Sequence, residues 1–468
     1  MLLFRNCFLT IPLHLLRTVR TDLTIDFVKE LEVLQKRILG SILGCAAPDF
    51  TDQKFSQCCL QFGSGGLGMH KYDEVAPAAF CASFIAYIFK TGLADTFEDL
   101  INEENGPIPP RIASFINSLE RFHFEEDPSI TIERLFYQKL DRYETLQNHL
   151  NYILENERKE ALVTHLETND LPGLQWFTSL QNSYAGRFLS VVPKFKDYYM
   201  EDEEYRVALL RRLDIPLPII TPGLCCTCSG MPHLDRRGHH FVTACGVHGV
   251  PTEIHDTYRN KFNQFLHESG YWTVVEERRT FGDALPEDQH RADIVIKNPD
   301  TLNYEDKGSK VLIDFTFTSP LQGIRSGNIG NRRITVAAAK TPGRAAKLSY
   351  NNKMRKYAQV IQRFNEANNN QNIETFTVVP FAMETSGNIH GKGFDLLQRM
   401  ADRRQDIKKH HRENSLSYFL NVLSVCYQTQ ASRAIIRRVG EVSAHRRRAT
   451  SSGIVDYIIQ DENAAMLV

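Results

Sequence analysis

Two apolar stretches each carry one carboxylate where a strand would place a buried residue. "RADIVI" (291–296) contains Asp293, and "KVLIDFTFTSP" (310–320) sets Asp314 among Val311, Leu312, Ile313, Phe315 and Phe317. Asp is depleted in strands, and an unpaired carboxylate in apolar surroundings costs on the order of several kcal/mol. Adjacent strands with one acid each bring both to the same edge of a sheet, where a divalent cation would neutralise them. Hard cations such as Mg²⁺ or Mn²⁺ prefer carboxylate oxygens and are often shared with a phosphate. There they polarise a phosphoryl oxygen and acidify an attacking water. The helical stretch that follows offers Lys353 and Lys356, one turn apart, to steady developing negative charge. Taken singly, each acid is better explained as a turn cap or a partner for arginine; the pair, with the lysines and the basic half of the chain, points to metal-dependent phosphodiester chemistry.

A second cluster suits a different metal. "CCTCSGMPHLDRRGHHFVTACGVHG" (225–249) holds four cysteines and four histidines. Zinc needs four soft or borderline donors, and a short Cys-x-Cys spacing supplies two from one turn. Cys226 and Cys228 form one pair, and His240 with Cys245 the other; Cys225, His233, His239 and His248 are further candidates. The competing reading is a loop of buried thiols with surface histidines.

These residues need elements to position them. After residue 223 the pattern predicts a helix over 256–268, strands over 272–278, 291–297 and 310–318, a helix over 344–364 and a strand over 375–384. This αβββαβ order defines an α/β core with helices covering its sheet. Before residue 213 the pattern is helical. Val28, Leu31, Leu34, Ile38 and Ile42 share one face, with Gly44 as a stop. "FGSGGLG" (62–68) lacks the preceding strand and the Lys-Ser/Thr ending of a phosphate-binding loop and reads as a turn. The fold class is α+β overall: a helical N-terminal half, a small zinc-binding module, the α/β core and a basic helical tail. The expected divisions are 1–120, 121–222, 223–250, 251–400 and 401–468.

The chain has 468 residues, 42% hydrophobic and 24% charged, with ten cysteines. That composition suits a globular protein without a disulfide framework. No apolar run is long enough to span a membrane. "MLLFRNCFLTIPLHLL" is broken by Arg5 and is followed by no small-residue cleavage site, so secretion is not expected. The net charge of −1 conceals a split, because 23 lysines and arginines face 11 acids from residue 321 onward. Blocks such as "RRQDIKKHHR" (403–412) and "HRRR" (445–448) suit a polyanion partner, DNA or RNA, although a solvated basic helix explains them equally well.

Segment 223–391 resembles the C-terminal endonuclease region of non-LTR retroelements that carry a restriction-like endonuclease. In that family a Cys-Cys-His-Cys zinc knuckle precedes a nuclease core of the PD-(D/E)xK type, with a lysine-lysine-tyrosine signature on a later helix. The resemblance implies zinc at Cys226, Cys228, His240 and Cys245, and Mg²⁺ or Mn²⁺ at Asp293 and Asp314. It matches the signature to "KMRKY", Lys353 to Tyr357, and places Glu384 near the far edge of the site. Ala292 stands where the pattern has proline, and Thr316 where the standard motif has lysine, so Lys353 or Lys356 is implied as the substitute. Glu277 and His255 are possible accessory residues. Upstream, "FLTIPLHLLRTVRTDLTIDFVKELEVLQKRILGSILG" and "QFGSGGLGMHKYDEVAPAAFCASFIAYI" look like the thumb and linker that follow a reverse transcriptase palm, but no Tyr/Phe-x-Asp-Asp motif occurs.

The expected function is a metal-dependent DNA endonuclease, nuclear or cytoplasmic, without a polymerase site. Its rivals are a non-catalytic, zinc-containing nucleic-acid-binding relic and a protein-interaction scaffold built on the helical half.

Overall fold

The computed structural model describes residues 4–45, 49–93, 107–122, 146–228, 234–246, 249–277, 281, 292–297, 310–321, 335–367, 376–408 and 412–451. The chain divides into two compact units, residues 1–169 and 170–468.

The first unit is helical: α1 (Ile11–Thr18), α2 (Thr21–Leu43), α3 (Asp52–Cys58), α4 (Tyr72–Thr91), α5 (Pro110–Glu120) and α6 (Leu146–Asn169). Val28, Leu31 and Leu39 are buried along α2, which ends where Gly44 takes φ 62°, a left-handed cap that suits glycine. The core centres on α4, where Phe80, Phe84, Ile85 and Ile88 meet Phe115 of α5 and Leu146 and Leu150 of α6. The "FGSGGLG" segment is a turn closed on its own backbone. A Cβ at Gly66 would lie 2.0 Å from the Leu60 carbonyl oxygen, so only glycine fits.

The second unit adds α7 (Leu171–Ser179), α8 (Asp202–Arg212), α9 (His239–Thr243), α10 (Val250–Glu268), β1 (Thr273–Glu277), β2 (Ala292–Ile296), β3 (Lys310–Thr318), α11 (Val336–Ala339), α12 (Arg344–Ala367), β4 (Phe376–Glu384), α13 (Gly391–Lys408) and α14 (Arg412–Ser451). The sheet runs β1-β2-β3-β4. Its first two pairings are antiparallel, and β3 with β4 is parallel, from Lys310 opposite Phe376 to Thr318 opposite Glu384. A parallel neighbour requires a crossover, which α12 supplies.

Side-chain alternation along β3 assigns its two faces to different helices. Phe315 and Phe317 meet Tyr258 and Phe262 of α10. Leu312 packs with Tyr357, Val360 and Phe364 of α12. Phe262 is fully buried, its ring 5.1 Å from Phe315 and 5.0 Å from Phe381. Phe262→Ala should therefore cost about 3–5 kcal/mol, read as a lower midpoint in urea unfolding.

The C-terminal region differs from the solvated basic tail that its charge suggests. In α14, Phe419, Leu423, Tyr427, Ala431, Ile435 and Val439 recur every fourth residue, and all are buried. Phe419 stacks on Phe265 of α10 at 4.6 Å, and Tyr427 lies 5.5 Å from Phe317. The helix is a core element that keeps Arg433 and Arg437 exposed. Among the described residues no helix is long and apolar enough to cross a membrane.

Candidate functional site

The β2–β3 register brings the two acids together. Ile294 pairs with Ile313, and one step further along lie Asp293 and Asp314. Each carboxyl shifts the pKa of the other. Asp293 Oδ2 accepts the Phe315 backbone N–H at 2.6 Å and lies 3.0 Å from His255 Nε2. His255 stands in the first turns of α10, and its Nδ1 is 3.0 Å from Asp256 Oδ1. Burial alone would raise the Asp293 pKa, but the bonds from His255 and Phe315 outweigh it and hold the carboxyl below its usual range. Burial would likewise lower the His255 pKa, yet Asp293 and Asp256 together raise it. The pair is thereby biased toward an imidazolium against a carboxylate.

Asp314 is 6% exposed in mid-strand, and its environment acts oppositely. Burial and the neighbouring Asp293 push its pKa up, against the opposing pull of Lys353. Lys353 Nζ donates to both carboxylate oxygens, each at 2.8 Å. Tyr357, one turn further along α12 and buried, donates its hydroxyl to the same carboxyl. Burial and this acid push the Tyr357 pKa up, so the phenol keeps its proton. An unpartnered acid in a strand is thus answered by a lysine and a tyrosine at i and i+4 on the crossover helix.

The other candidates fall elsewhere. Lys356 is exposed, on the side of α12 away from buried Tyr357. Glu277 pairs with Ala292 in the β1–β2 ladder, and its side chain lies outside the described residues. Thr316 is half-buried two residues beyond Asp314. Glu384 stands opposite Thr318, four residue steps from the level of Asp314, a separation of about 13 Å along the strand. It does not join the acid pair. Its Oε1 accepts the backbone N–H groups of Ala345 (2.9 Å) and Ala346 (3.3 Å), capping the helix that carries Lys353. Its Oε2 is buried with no hydrogen-bond partner among the described residues.

Burial pushes the Glu384 pKa from the ordinary 4.5 to about 7, with the two N–H groups opposing. Between those values the folded chain holds a proton that the unfolded chain releases, so this group makes stability fall as pH rises from 4.5 to about 7. The full change is up to about 3 kcal/mol. Glu384→Gln should flatten that dependence, seen as urea midpoints that converge at pH 5 and pH 7.5.

The Cys/His cluster assembles as a second centre. Cys226 Sγ is 3.7 Å from Cys245 Sγ, and Cys228 Sγ is 3.4 Å from His240 Nε2. All four donor atoms lie within 4.8 Å of one another, an arrangement that can hold a metal ion. A disulfide would need sulfurs about 2.05 Å apart, whereas tetrahedral ligands about 2.3 Å from one ion sit about 3.8 Å from each other. The loop with the first two cysteines is closed by the Leu234 N–H to the Leu224 carbonyl at 2.8 Å. Asp235 accepts the N–H groups of His239 and His240, each at 3.0 Å, and so starts the short helix that presents His240. Burial and the neighbouring thiols push Cys228 up to about 11; three thiolates cannot share this space without a cation. Of the other candidates, Cys225 is half-buried with its thiol toward the Gly223 carbonyl, and His239 lies edge-on to Trp176. His233 and His248 fall outside the described residues.

Sequence reasoning missed Arg438. It comes from α14, 2% exposed, and its guanidinium approaches Cys226 Sγ at 3.9 Å and Thr227 Oγ1 at 3.3 Å. No local spacing announces a partner 212 residues away.

No protein-family model matches the chain, and no curated protein matches it in sequence. The likeness to retroelement endonucleases therefore stands on the motifs alone.

Proposed function

We propose that the second unit is a metal-dependent endonuclease that hydrolyses DNA phosphodiesters on a restriction-like α/β core, as part of a retroelement-derived protein. One observation carries this reading. Neighbouring strands contribute Asp293 and Asp314, and the crossover helix contributes Lys353 at 2.8 Å from the second acid. The donor set fits a hard divalent cation, since two carboxylates from neighbouring strands offer the oxygen ligands that such an ion prefers. When bound there, Mg²⁺ or Mn²⁺ polarises a phosphoryl oxygen and acidifies a water. His255 and the Phe315 N–H fix Asp293 in its ionised form. Lys353 gives up one Asp314 oxygen, keeps the other, and directs its ammonium to the developing phosphoryl charge. Tyr357 holds the Asp314 carboxyl in place. Cys226, Cys228, His240 and Cys245 hold a structural Zn²⁺ beside this core. A nuclear location follows from the substrate.

A second reading is favoured by one contact: Lys353 already takes both Asp314 oxygens, which balances that acid without an ion. It makes the protein a zinc-containing nucleic-acid-binding relic. Plasmid nicking with Mg²⁺ or Mn²⁺, beside Asp293→Asn and Asp314→Asn, separates the two. Nicking by the wild type alone supports the endonuclease; binding by all three with no nicking supports the relic.

A further inference from the structure

The solvent side of α12 (Arg344–Ala367) has an unusual charge pattern. Arg344, Lys347, Arg355, Lys356 and Arg363 are all exposed, and the only acid on the helix is Glu366 near its end. Lys347, Asn351, Arg355, Gln359 and Arg363 follow at every fourth residue, so they form one row along the helix surface. Arg344, Leu348, Asn352 and Lys356 form the adjacent row. Every member of both rows is exposed. An ordinary solvated helix interleaves acids with its bases, because (i, i+4) pairs of opposite sign stabilise it and like charges do not. This helix forgoes that gain over its first 22 residues.

The pattern fits a rigid polyanion. From Lys347 to Arg363 the row spans about 24 Å, at about 6 Å between successive side chains. A nucleic-acid strand presents one phosphate per about 3.4 Å of duplex axis, so about seven phosphates lie within that span. Asn351 and Gln359, between the cations, can donate to phosphate oxygens without charge, as amides do at such interfaces. The same helix turns Lys353 to Asp314 on its inner side, so the row lies across the helix from the acid pair.

We infer that the exposed face of α12, with Lys347, Arg355 and Arg363 in its leading row, is a docking surface for the phosphate backbone of duplex DNA. The choice of DNA as the polyanion rests on the endonuclease reading, but duplex binding on this face does not depend on catalysis. The binding is electrostatic and independent of base sequence. It leaves specificity to other parts of the chain.

The test is equilibrium binding of full-length protein to a 30-base-pair duplex, followed by fluorescence anisotropy from about 50 to 200 mM salt in Ca²⁺, with cleavage scored separately in Mg²⁺. The variant is Lys347→Gln/Arg355→Gln/Arg363→Gln; the control, Lys29→Gln/Arg37→Gln/Lys90→Gln, removes the same charge from exposed positions of the first unit. The face variant should bind about ten- to a hundredfold more weakly at low salt, and its log–log salt slope should fall by about 2.7, or about 0.9 per lost phosphate contact. The control should behave as wild type. Equal behaviour of the two triple variants, or no duplex binding by the wild type at low salt, overturns the surface. Tighter binding of single-stranded RNA that is equally sensitive to the face variant overturns the duplex assignment. Face-dependent duplex binding without Mg²⁺-dependent cleavage leaves the surface standing and removes the endonuclease reading.

Discussion

Asp314→Asn should lower DNA cleavage by at least about a thousandfold while leaving the thermal midpoint within a few degrees of wild type. The two readouts separate because the fold and the chemistry want different things of this residue. Burial and Asp293 push its pKa upward, so folding disfavours the charge that it carries. An asparagine keeps the shape and an acceptor for Lys353 and Tyr357 without that charge. Removing one partner of a buried ion pair destabilises by stranding the other charge, and that cost falls away where the remaining partner can reach solvent. The Lys353 side chain is 29% exposed and can do so. Catalysis has no such latitude. Losing one preorganised charge at a site of this kind costs about 10²–10³ in rate, and a lost ion adds its own contribution. Lys353→Met tests the other half of the pair. It leaves Asp314 buried without its cation, so it should lower both cleavage and the thermal midpoint. If Asp314→Asn unfolds the protein and cleavage falls only with the folded fraction, Asp314 is a structural residue.

The second large effect is expected at the Cys/His centre. Chelation, or Cys245→Ser, should lower the stability of the second unit by several kcal/mol, on the scale set by small zinc domains, where binding free energy is folding free energy. The argument is electrostatic. Three sulfurs and an imidazole converge within 4.8 Å, and burial with its neighbours holds Cys228 near 11 in the absence of a cation. An ion reverses that balance by favouring thiolates. Arg438, within 3.9 Å of Cys226 Sγ, would offset the net negative charge of three thiolates around a divalent ion. Metal analysis should return one zinc per chain. Cobalt substitution should give the charge-transfer band of thiolate ligation, lost in Cys226→Ser. Protein that purifies without metal and melts identically with and without chelator would remove this centre.

Much of the α/β core was legible because its elements are short and strongly patterned. The three strands around 272–318 and the strand at 375–384 coincide with β1–β4 to within two residues at each end, since β-branched and aromatic runs between turn signals have few alternatives. Asp293 and Asp314 stood out as acids in apolar runs, and antiparallel pairing of adjacent strands made their meeting an economical guess. The choice between Lys353 and Lys356 was not legible. Both sit within one turn, and only packing of Tyr357 against the sheet turns Lys353 inward. Glu384 was expected near the far edge of the site. The parallel register places it four residues beyond, at the start of α12, where it fixes the helix instead. The C-terminal helix was misjudged for a different reason. Its arginines drew attention from the four-residue repeat that runs from Phe419 to Val439, although that repeat was in plain view.

That helix has a consequence for how the gene tolerates damage. A reading frame cut short between codons 358 and 438 would still encode every proposed metal ligand and both proposed catalytic acids. It would nevertheless lack the guanidinium against Cys226, and a cut before codon 419 would also strip the ring that stacks on Phe265. Late nonsense mutations should therefore act as full losses, and selection on the last helix should be as strict as selection on the motifs far upstream.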